Sequence, residues 1–341
     1  MRAAVLTAQG SIDVEERSAP TPGSDDVVVD VAACGVCKTD YHMYHGAFDI
    51  DYPQVLGHEA AGTVTAVGED VRRVEVGDRV ALNPTVPCGD CSYCKAGRET
   101  LCEDLTSIGG AADTVLDGAF AEKVRAPAGN VERIGDLDFE TAALAEPLAC
   151  CVHGVERAAL DHGDSVVVIG AGPIGLLLTQ TLRDAGAGEI LVSEPVAERR
   201  TLALELGADY VNDPTETAVT DAASETLGAV DLAVEVVGFE ATVQQAIDLT
   251  SPGGRTLVFG VPPEDATVEV RPFDYFYDEV ELTGTYSLRP ADFEVAVGLL
   301  RQGRVDVDPL VTDELPLADL PTAFERIDNS VGMKKIVHPG E

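Results

Sequence analysis

The chain is poor in positive charge and has no long apolar segment. Of its 341 residues only 23 are Lys or Arg, against 60 Asp or Glu, which gives a net charge of −37. A field of this sign repels phosphate groups, so nucleic acid and anionic membrane surfaces are excluded as partners. No uninterrupted apolar run approaches the roughly 18 residues that span a bilayer, and residues 1–10 lack the features of a secretion signal. We therefore expect a soluble, cytoplasmic protein.

The low basic content is combined with the apolar content of a globular protein. Apolar residues make up 45% of the chain and the mean hydropathy is +0.07, which is too apolar for a disordered acidic polymer. The length suits two domains. The excess of carboxylates resembles the halophilic proteins of salt-accumulating archaea, in which concentrated cations screen the surface; an ordinary acidic mesophilic protein is the alternative. The net charge therefore indicates the kind of solvent in which the protein works and does not indicate which reaction it catalyses.

Two kinds of hydrophobic pattern divide the chain. The first part alternates short β-rich runs with turns, which predicts a β-barrel or sandwich-like unit with strands at 2–7, 26–33, 62–67 and 79–82. From about residue 149, apolar strands alternate with helical periodicity, which predicts a parallel sheet of βαβ units. Its strands are predicted at 166–169, 190–193, 232–236 and 256–259, and its helices at 174–185, 196–206 and 241–249. Two helices (291–301 and 317–327) and a strand (335–338) follow.

The eight cysteines fall into three groups, and the middle group predicts a structural metal site. Four thiols within fifteen residues of a Pro- and Gly-rich segment suit tetrahedral zinc: Cys88, Cys91, Cys94 and Cys102. Disulfides are the alternative, which a reducing cytoplasm disfavours. Because protein would fill all four positions, this zinc would be structural. Cys34 is interpreted as a buried packing thiol.

A catalytic metal needs a different arrangement, with one position left free for water or substrate. Cys37 offers a thiolate, His58 an imidazole, and Glu59 and Glu146 carboxylates, each beside a turn or a strand end. Each also has a plausible structural role, since a lone cysteine is usually a small core residue and Glu59 can be an exposed acid. Spacing alone does not decide between the two interpretations.

A glycine-rich turn follows the strand at 166–169 and opens a helix, in the order Gly170-Ala171-Gly172-Pro173-Ile174-Gly175. Gly170 allows the tight turn, Gly172 a close approach of a pyrophosphate, and Gly175 close packing of helix and strand. Glu194, 19 residues after Gly175, can accept hydrogen bonds from the adenosine ribose. A carboxylate there repels a 2′-phosphate and favours NAD. NADP stays possible because Arg199 and Arg200 can turn toward that phosphate, and a chance glycine-rich loop is the remaining alternative.

Together, Gly57-His58-Glu59, the four-cysteine loop, Glu146-Pro147 and the glycine-rich turn resemble the zinc-dependent medium-chain alcohol and polyol dehydrogenases, including the sorbitol dehydrogenases. The resemblance implies an α/β plus β fold, in which a GroES-like β-barrel catalytic domain carries an inserted Rossmann cofactor domain. It places the catalytic domain at residues 1–148, with the zinc lobe at about 84–104, and the NAD-binding domain at 149–287. Residues 288–341 return to the catalytic domain.

The same resemblance implies roles for individual residues. Cys37 and His58 bind the catalytic zinc, with Glu146 as third ligand, although Cys150 and Cys151 lie close enough in sequence to leave that position open. Glu59 sits beside the metal and can enter its ligand shell. Thr39 takes the substrate proton and passes it through the cofactor ribose to His42. Residues that resemble positions lining the dinucleotide are Val237, Gly238, Gly260 and Val261.

The resemblance therefore implies two zinc ions per subunit and hydride transfer from a secondary hydroxyl to NAD, giving a ketone. The expected partner is a small alcohol or polyol, and a homodimer or homotetramer is expected. An aldose or a threonine-type amino alcohol is an alternative substrate. A zinc-stabilised sensor that binds NAD(H) without turnover is an alternative from another class.

Overall fold

The computed structural model describes residues 1–48 and 50–341 and divides the chain into two compact units. The first comprises residues 1–149, 288–303 and 307–341, and the second comprises 150–287 and 304–306. The strands, in chain order, are β1 (Arg2–Ala8), β2 (Ser11–Glu16), β3 (Asp26–Val36), β4 (Gln54–Val55), β5 (Glu59–Val67), β6 (Arg79–Leu82), β7 (Thr85–Val86), β8 (Thr106–Ile108), β9 (Thr114–Leu116), β10 (Lys123–Pro127), β11 (Val131–Arg133), β12 (Val166–Ile169), β13 (Ile190–Ser193), β14 (Tyr210–Asn212), β15 (Leu232–Glu235), β16 (Arg255–Val258), β17 (Glu281–Gly284), β18 (Val311–Pro316) and β19 (Lys334–His338).

The helices are α1 (Lys38–Tyr44), α2 (Ser92–Lys95), α3 (Phe139–Ala143), α4 (Ala145–Arg157), α5 (Pro173–Ala185), α6 (Ala197–Glu205), α7 (Val219–Thr226), α8 (Glu240–Leu249), α9 (Pro272–Tyr277), α10 (Pro290–Arg301) and α11 (Leu320–Asp328). Short 3-10 turns occur at Glu99–Leu101, Ala128–Asn130, Asp308–Leu310 and Leu317–Asp319. Among the described residues there is no helix that is long and apolar enough to cross a membrane.

The first unit is built around the long strand β3. Its main sheet has the order β11-β6-β5-β3-β19-β18, and β10 also pairs with β3. Two smaller sheets have the orders β2-β1-β4 and β7-β8-β9. Val27, Val29, Val31, Cys34 and Val36 of β3 lie in the core together with Phe120 and Phe324. β-branched side chains favour pleated sheet surfaces, so the valines of this segment suit a strand.

The second unit is a parallel sheet with the strand order β14-β13-β12-β15-β16-β17. The order reverses at β12, which is the arrangement of a doubly wound dinucleotide-binding fold. The four residues of β12, Val166–Ile169, are all buried, as expected for a strand covered by helices on both faces. The prediction of a parallel sheet is therefore confirmed.

Element boundaries differ from the sequence predictions mainly at the ends. Strands β6, β12 and β13 have the predicted bounds, whereas β5 starts three residues earlier than predicted, at Glu59. The predicted helix at 317–327 begins as a 3-10 turn, and the α-helix α11 starts only at Leu320. The pattern did not predict the short elements α1, α7, β14 and β17, since they have too few residues to show a period.

Candidate metal centres and cofactor site

Cys37 lies where β3 ends and α1 begins, as the residue that caps the helix. Its sulfur accepts the Thr39 N–H at 3.4 Å, and its own N–H donates to Asp40 Oδ2 at 2.9 Å. These reciprocal bonds satisfy helix N–H groups that have no partner within the helix. The sulfur is thereby fixed at the carboxyl end of β3, and it is only partly buried.

His58 and Glu59 are positioned by the glycine that precedes them. Gly57 has φ +93°, and a Cβ there would lie 2.8 Å from the ring of Phe120. Its N–H donates to Asp40 Oδ1 at 3.1 Å, so the turn is tied to α1. His58 is 5% exposed and Glu59 is 1% exposed. Only glycine fits this left-handed, crowded position, which explains the Gly-His-Glu run in physical terms.

The structure brings three of the four predicted catalytic ligands together. One ligand atom each from Cys37, His58 and Glu59 lies within 4.8 Å of the other two. Sulfur, imidazole nitrogen and carboxylate oxygen are the donors that zinc takes in proteins, so these residues fit a zinc ion. Glu146, near the start of α4, is 9% exposed and is not one of this group of three. Its negative charge nevertheless contributes to raising the pKa of Lys334.

Asp40 controls the charge state of His58 when no metal is bound. Burial lowers the pKa of His58, but the Asp40 carboxylate and the Cys37 sulfur more than offset it, so the pKa is well above its ordinary value of 6.5. His58 Nδ1 lies 3.3 Å from Asp40 Oδ1. Asp40 is fully buried, and its role was not predicted from the sequence. An acid three residues after a helix-capping residue is a capping-box signal that could have identified it.

Lys334 is a second buried residue near this group that was not predicted from the sequence. It lies at the start of β19, is 6% exposed and forms an ion pair with Glu59. Burial lowers the pKa of Lys334, whereas the charges of Glu59 and Cys37 raise it, and the net shift is upward. Buried lysines are rare unless paired, so a lysine at the start of a predicted strand, in a chain with five lysines, was the available signal.

The four-cysteine segment forms a compact group in the first unit. One sulfur each from Cys88, Cys91, Cys94 and Cys102 lies within 4.8 Å of the others, and all eight cysteines of the chain are free thiols. Backbone N–H groups of residues 88, 90, 91, 94 and 104 donate to these sulfurs at 3.3 to 3.4 Å.

The four sulfurs fit a structural zinc. Donation from the N–H of Cys94 is the main cause that lowers the pKa of Cys91 to about 6, whereas burial and neighbouring thiols raise the pKa of Cys94 to about 12. Thiols this close cannot all ionise without a cation, and zinc supplies the charge that lets four thiolates coexist.

Thr39 and His42, the predicted proton route, share helix α1. Both are half-buried, and the ring of His42 lies 5.7 Å from that of Tyr41. Burial is the main cause that lowers the pKa of His42, followed by the charges of Lys38 and His45.

The three remaining cysteines lie apart from the four-cysteine segment and from Cys37. Cys34 lies in the hydrophobic core, and the thiol of Cys151 donates to the Ile174 carbonyl. Cys150 is half-buried.

In the second unit the glycine-rich turn has the shape that a dinucleotide requires. Gly170 has φ +107°, and a Cβ on Gly175 would lie 2.0 Å from Gly170 O. Around Gly172 no heavy atom among the described residues lies within 4 Å of an added Cβ, and no side chain among them caps the start of α5. The turn therefore presents open space and free N–H groups at a helix N-terminus, where Pro173 and Ile174 begin the helix; this fits a pyrophosphate.

Glu194 directly follows β13 beside this turn and is 4% exposed. Its two carboxylate oxygens accept the Ala171 N–H at 2.8 Å and the Val196 N–H at 3.0 Å. Arg200 donates to the Glu194 carbonyl at 2.7 Å and pairs with Asp213 at 3.0 Å. Glu194 thus stabilises the glycine-rich turn through these backbone hydrogen bonds. The Arg200 side chain is already bound to the Glu194 carbonyl and to Asp213. Arg199 is half-buried.

The turn that follows β15 lies in close contact with the turn that follows β16. A Cβ on Gly238 would lie 2.6 Å from Val261 O, and one on Gly260 would lie 2.4 Å from Gly238 N. Glu235, fully buried at the end of β15, accepts the N–H groups of Val237 and Gly238 at 2.8 Å with one oxygen. Val237, Gly260 and Val261 were predicted from the sequence and Glu235 was not; its signal is an acid that ends a buried strand.

Comparison with known proteins gives the family. Residues 23–136 match the alcohol dehydrogenase GroES-like domain, and residues 173–302 match the zinc-binding dehydrogenase domain. The 2-dehydro-3-deoxy-L-galactonate 5-dehydrogenase of Pseudoalteromonas atlantica is 36% identical over 99% of this chain and 98% of its own. The chain belongs to the zinc-dependent medium-chain alcohol and polyol dehydrogenases. This confirms the predicted family, the GroES-like and Rossmann-type fold, the enzyme class and the dependence on zinc and NAD(P).

Further members of the dehydrogenase family are similar over their whole length. The sorbitol dehydrogenase of Halalkalibacterium halodurans is 33% identical, with 99% of each chain covered. A solved zinc-binding dehydrogenase from Sinorhizobium meliloti, bound to NADP, superposes with a TM-score of 0.93 at 36% identity, covering 99% of each chain. The 2R,3R-butanediol dehydrogenase of Bacillus subtilis superposes with a TM-score of 0.89 at 32% identity, again covering 99% of each chain.

Proposed function

We propose that this dehydrogenase oxidises a secondary hydroxyl of a polyol or sugar alcohol to a ketone and transfers the hydride to NAD. The observation that carries the proposal is the group of partly buried Cys37 and buried His58 and Glu59, whose ligand atoms lie within 4.8 Å of one another. A mixed set of this kind leaves a coordination position free, unlike a set of four thiolates. The sorbitol and butanediol dehydrogenases among the relatives support a substrate with several hydroxyl groups.

Cys37 and His58 are two of the proposed zinc ligands, and Glu146 is the third. The burial of Glu146 and the effect of its charge on Lys334 support this position. Cys151 is less suitable because its thiol is directed to the Ile174 carbonyl. Zinc, when bound, supplies a Lewis acid that lowers the pKa of the substrate hydroxyl. The four thiols of the lobe hold the second, structural zinc.

Thr39 would accept the proton of the substrate hydroxyl, and His42 would be the residue that finally receives this proton. His42 suits this role because burial lowers its pKa, which keeps the imidazole neutral and able to accept a proton at pH 7. Both residues are on α1, directly after the ligand Cys37, so one helix would position the ligand and the proton acceptors together.

NAD is the proposed cofactor in preference to NADP. Glu194 lies at the end of β13 with its carboxylate beside the glycine-rich turn, where it would repel a 2′-phosphate. Arg200 is engaged by Asp213 and by the Glu194 carbonyl, which makes it less suited to bind a 2′-phosphate. Val237, Gly260 and Val261 are proposed to line the nicotinamide half, where the cofactor accepts the hydride.

The first compact unit is proposed as the catalytic domain and the second as the cofactor domain. We also propose a homodimer or homotetramer, because β17 is an edge strand with mostly exposed residues and α9, which precedes it in sequence, exposes Phe273, Phe276 and Tyr277. The eight free thiols support a reducing, cytoplasmic location. Size-exclusion chromatography with light scattering tests the oligomer, and a monomer at micromolar concentration contradicts it.

The deciding experiment measures NADH and NADPH formation over a substrate panel in high KCl, with Cys37→Ser as the matched variant. The panel contains polyols, simple secondary alcohols, threonine, aldoses and sugar acids. We expect turnover of a polyol with NAD that a chelator and Cys37→Ser both abolish. Tight NAD(H) binding with no chelator-sensitive turnover on any compound would favour the sensor and contradict the proposal.

A further inference from the structure

Glu235 is a fully buried acid between the two turns that are proposed to line the nicotinamide half of the cofactor. It is the last residue of β15. Its backbone carbonyl accepts the N–H groups of Phe259 and Gly260, both at 2.9 Å, which ties the end of β16 to β15. A Cβ on Gly260 would lie 2.9 Å from Glu235 Oε2. The carboxylate therefore lies close to the backbone of the second turn as well as the first.

One oxygen of this carboxylate accepts all of its hydrogen bonds. Glu235 Oε1 accepts the N–H groups of Val237 and Gly238 at 2.8 Å and the hydroxyl of Thr242, in the first turn of α8, at 2.7 Å. Oε2 is buried and has no hydrogen-bond partner among the residues that the structure describes. An ionised acid only accepts hydrogen bonds, so three donors on one oxygen suit the charged form of Glu235.

No cation within the described part of the chain forms an ion pair with Glu235. The arginine of the neighbouring strand, Arg255, lies at the opposite end of β16 and pairs with Asp164. Charged side chains are almost never fully buried unless they are paired, because removing a charge from water is costly. A glutamine could accept the same three hydrogen bonds through its amide oxygen without any charge. The hydrogen bonds alone therefore do not account for an acid at this position.

The sheet topology places Glu235 on the nicotinamide side of the cofactor site. A dinucleotide lies across the carboxyl ends of the strands where their order reverses, which is at β12. Glu194, proposed for the adenosine ribose, follows β13 on one side of β12, and Glu235 ends β15 on the other side. The nicotinamide ring of NAD⁺ carries a positive charge, which is lost when the ring accepts a hydride. Glu235 is therefore a fixed negative charge on the side of the site where only the oxidised cofactor is cationic.

We propose that Glu235 is a buried counter-charge for the oxidised nicotinamide, which strengthens the binding of NAD⁺ relative to that of NADH. The inference rests on the proposed function, because it takes the turns after β15 and β16 as the nicotinamide site. A charge that is removed from water acts more strongly on its surroundings than one at the surface, because less solvent screens it. With NADH the ring is neutral, and the carboxylate supplies no such attraction. Glu235 acts through its charge and transfers no proton in this scheme.

The test measures equilibrium binding of NAD⁺, NADH and ADP-ribose to the full-length, zinc-loaded enzyme in high KCl. ADP-ribose lacks the nicotinamide and reports the rest of the site. Glu235→Gln removes the charge and keeps an acceptor oxygen, Glu235→Asp keeps the charge, and Thr242→Val removes one hydrogen bond to the carboxylate. Glu240→Gln is the matched control, because Glu240 is an exposed acid in the first turn of α8 and accepts the Thr267 N–H at 2.8 Å.

For Glu235→Gln we expect Kd for NAD⁺ to rise about tenfold, with Kd for NADH and for ADP-ribose within about twofold of wild type. Glu235→Asp and Glu240→Gln should keep the wild-type ratio of the NAD⁺ and NADH constants, and Thr242→Val should change both constants by the same factor. A Glu235→Gln enzyme in which both constants change equally would show a merely structural role and overturn the inference. If Glu235→Gln does not fold, Glu235→Ser replaces it, and a ratio equal to that of Glu235→Asp overturns the inference.

The outcomes also separate this inference from the proposed function. A wild-type enzyme that binds none of the three nucleotides would overturn the proposed function and the inference together. Chelator-sensitive turnover with NAD⁺ in the wild type, combined with a ratio of the two constants that does not respond to Glu235→Gln, would leave the proposed function standing and overturn only the role of Glu235.

Discussion

Asp40 and His58 face each other inside the first unit, with 3.3 Å between Asp40 Oδ1 and His58 Nδ1. The same carboxylate accepts the N–H groups of Cys37 and Gly57. One buried acid thus connects the capping residue of α1, the glycine before β5 and the imidazole. Carboxylates behind a ligand histidine fix the orientation of its ring and increase its basicity. Asp40 is therefore expected to preorganise two of the proposed ligands at once.

Replacing Asp40 tests this arrangement directly. Asp40→Asn removes the charge behind His58 and one of the two acceptor oxygens, so we expect zinc affinity or kcat to fall about 10- to 100-fold. Zinc content, kcat and thermal unfolding of the metal-loaded enzyme are the measurements. Asp30→Asn, an exposed acid that pairs with Lys123 at 2.8 Å, is the control. An Asp40→Asn enzyme that matches this control in zinc affinity and kcat contradicts the assignment.

The sequence predicted the second unit well because its signals are local. The strand at 166–169, the glycine-rich turn and Glu194 follow one another along the chain, and the parallel sheet requires the same order in space. The group of Cys37, His58 and Glu59 was harder to predict, because these residues come together only when β3 pairs with β5. Lys334 was not predictable from spacing, because its partner is 275 residues away in sequence.

Two glycines of the cofactor turn are expected to respond in opposite ways to alanine. A Cβ on Gly172 meets no described heavy atom within 4 Å and its φ is −70°, so Gly172→Ala should fold normally. The new methyl group would occupy space needed by the pyrophosphate, and we expect Kd for NAD to rise at least about tenfold, or roughly 1.4 kcal/mol. In Gly175→Ala the Cβ would lie 2.0 Å from Gly170 O, which should cost about 1 to 3 kcal/mol of stability.

Differential scanning calorimetry and NAD titration of the two glycine variants separate these effects. Unchanged thermal stability with weak NAD binding is expected for Gly172→Ala, and a lowered Tm for Gly175→Ala. Normal NAD affinity in Gly172→Ala would mean that the pyrophosphate does not approach this turn. An unchanged Tm for Gly175→Ala would contradict the close packing of α5 against the turn.

The four-cysteine lobe should lose its metal when one thiol is removed. Cys102→Ser leaves three thiolates, and we expect one zinc per chain instead of two and a loss of several kcal/mol in stability, because structural zinc contributes directly to folding. Metal analysis of the purified protein and chemical denaturation are the measurements. Ser92→Ala, in the same lobe but without a thiol, serves as the matched variant. Two zinc ions in Cys102→Ser would show that the fourth ligand lies elsewhere.

The pH dependence of turnover tests the proton route through His42. The pKa of His42 is lowered by burial first and then by the charges of Lys38 and His45, so the acidic limb of the kcat/KM profile should lie below 6.5. Lys38→Gln removes one of these causes and should move the limb to higher pH. Lys95→Gln, whose lysine pairs with Asp90 in the zinc lobe, should leave it in place. A limb that does not respond to Lys38→Gln would show that another group limits the rate.

The charge of −37 predicts a folded state that needs salt. Carboxylates in such excess repel one another more strongly in the compact protein than in the expanded chain, and this repulsion weakens as the screening length shortens from about 8 Å near 0.15 M to about 3 Å at 1 M. We therefore expect Tm to rise steeply with KCl over this range. Sucrose at matched osmolality controls for general preferential exclusion, which also stabilises compact states. A Tm that rises no more in KCl than in sucrose would mean that charge repulsion does not limit the stability of this dehydrogenase.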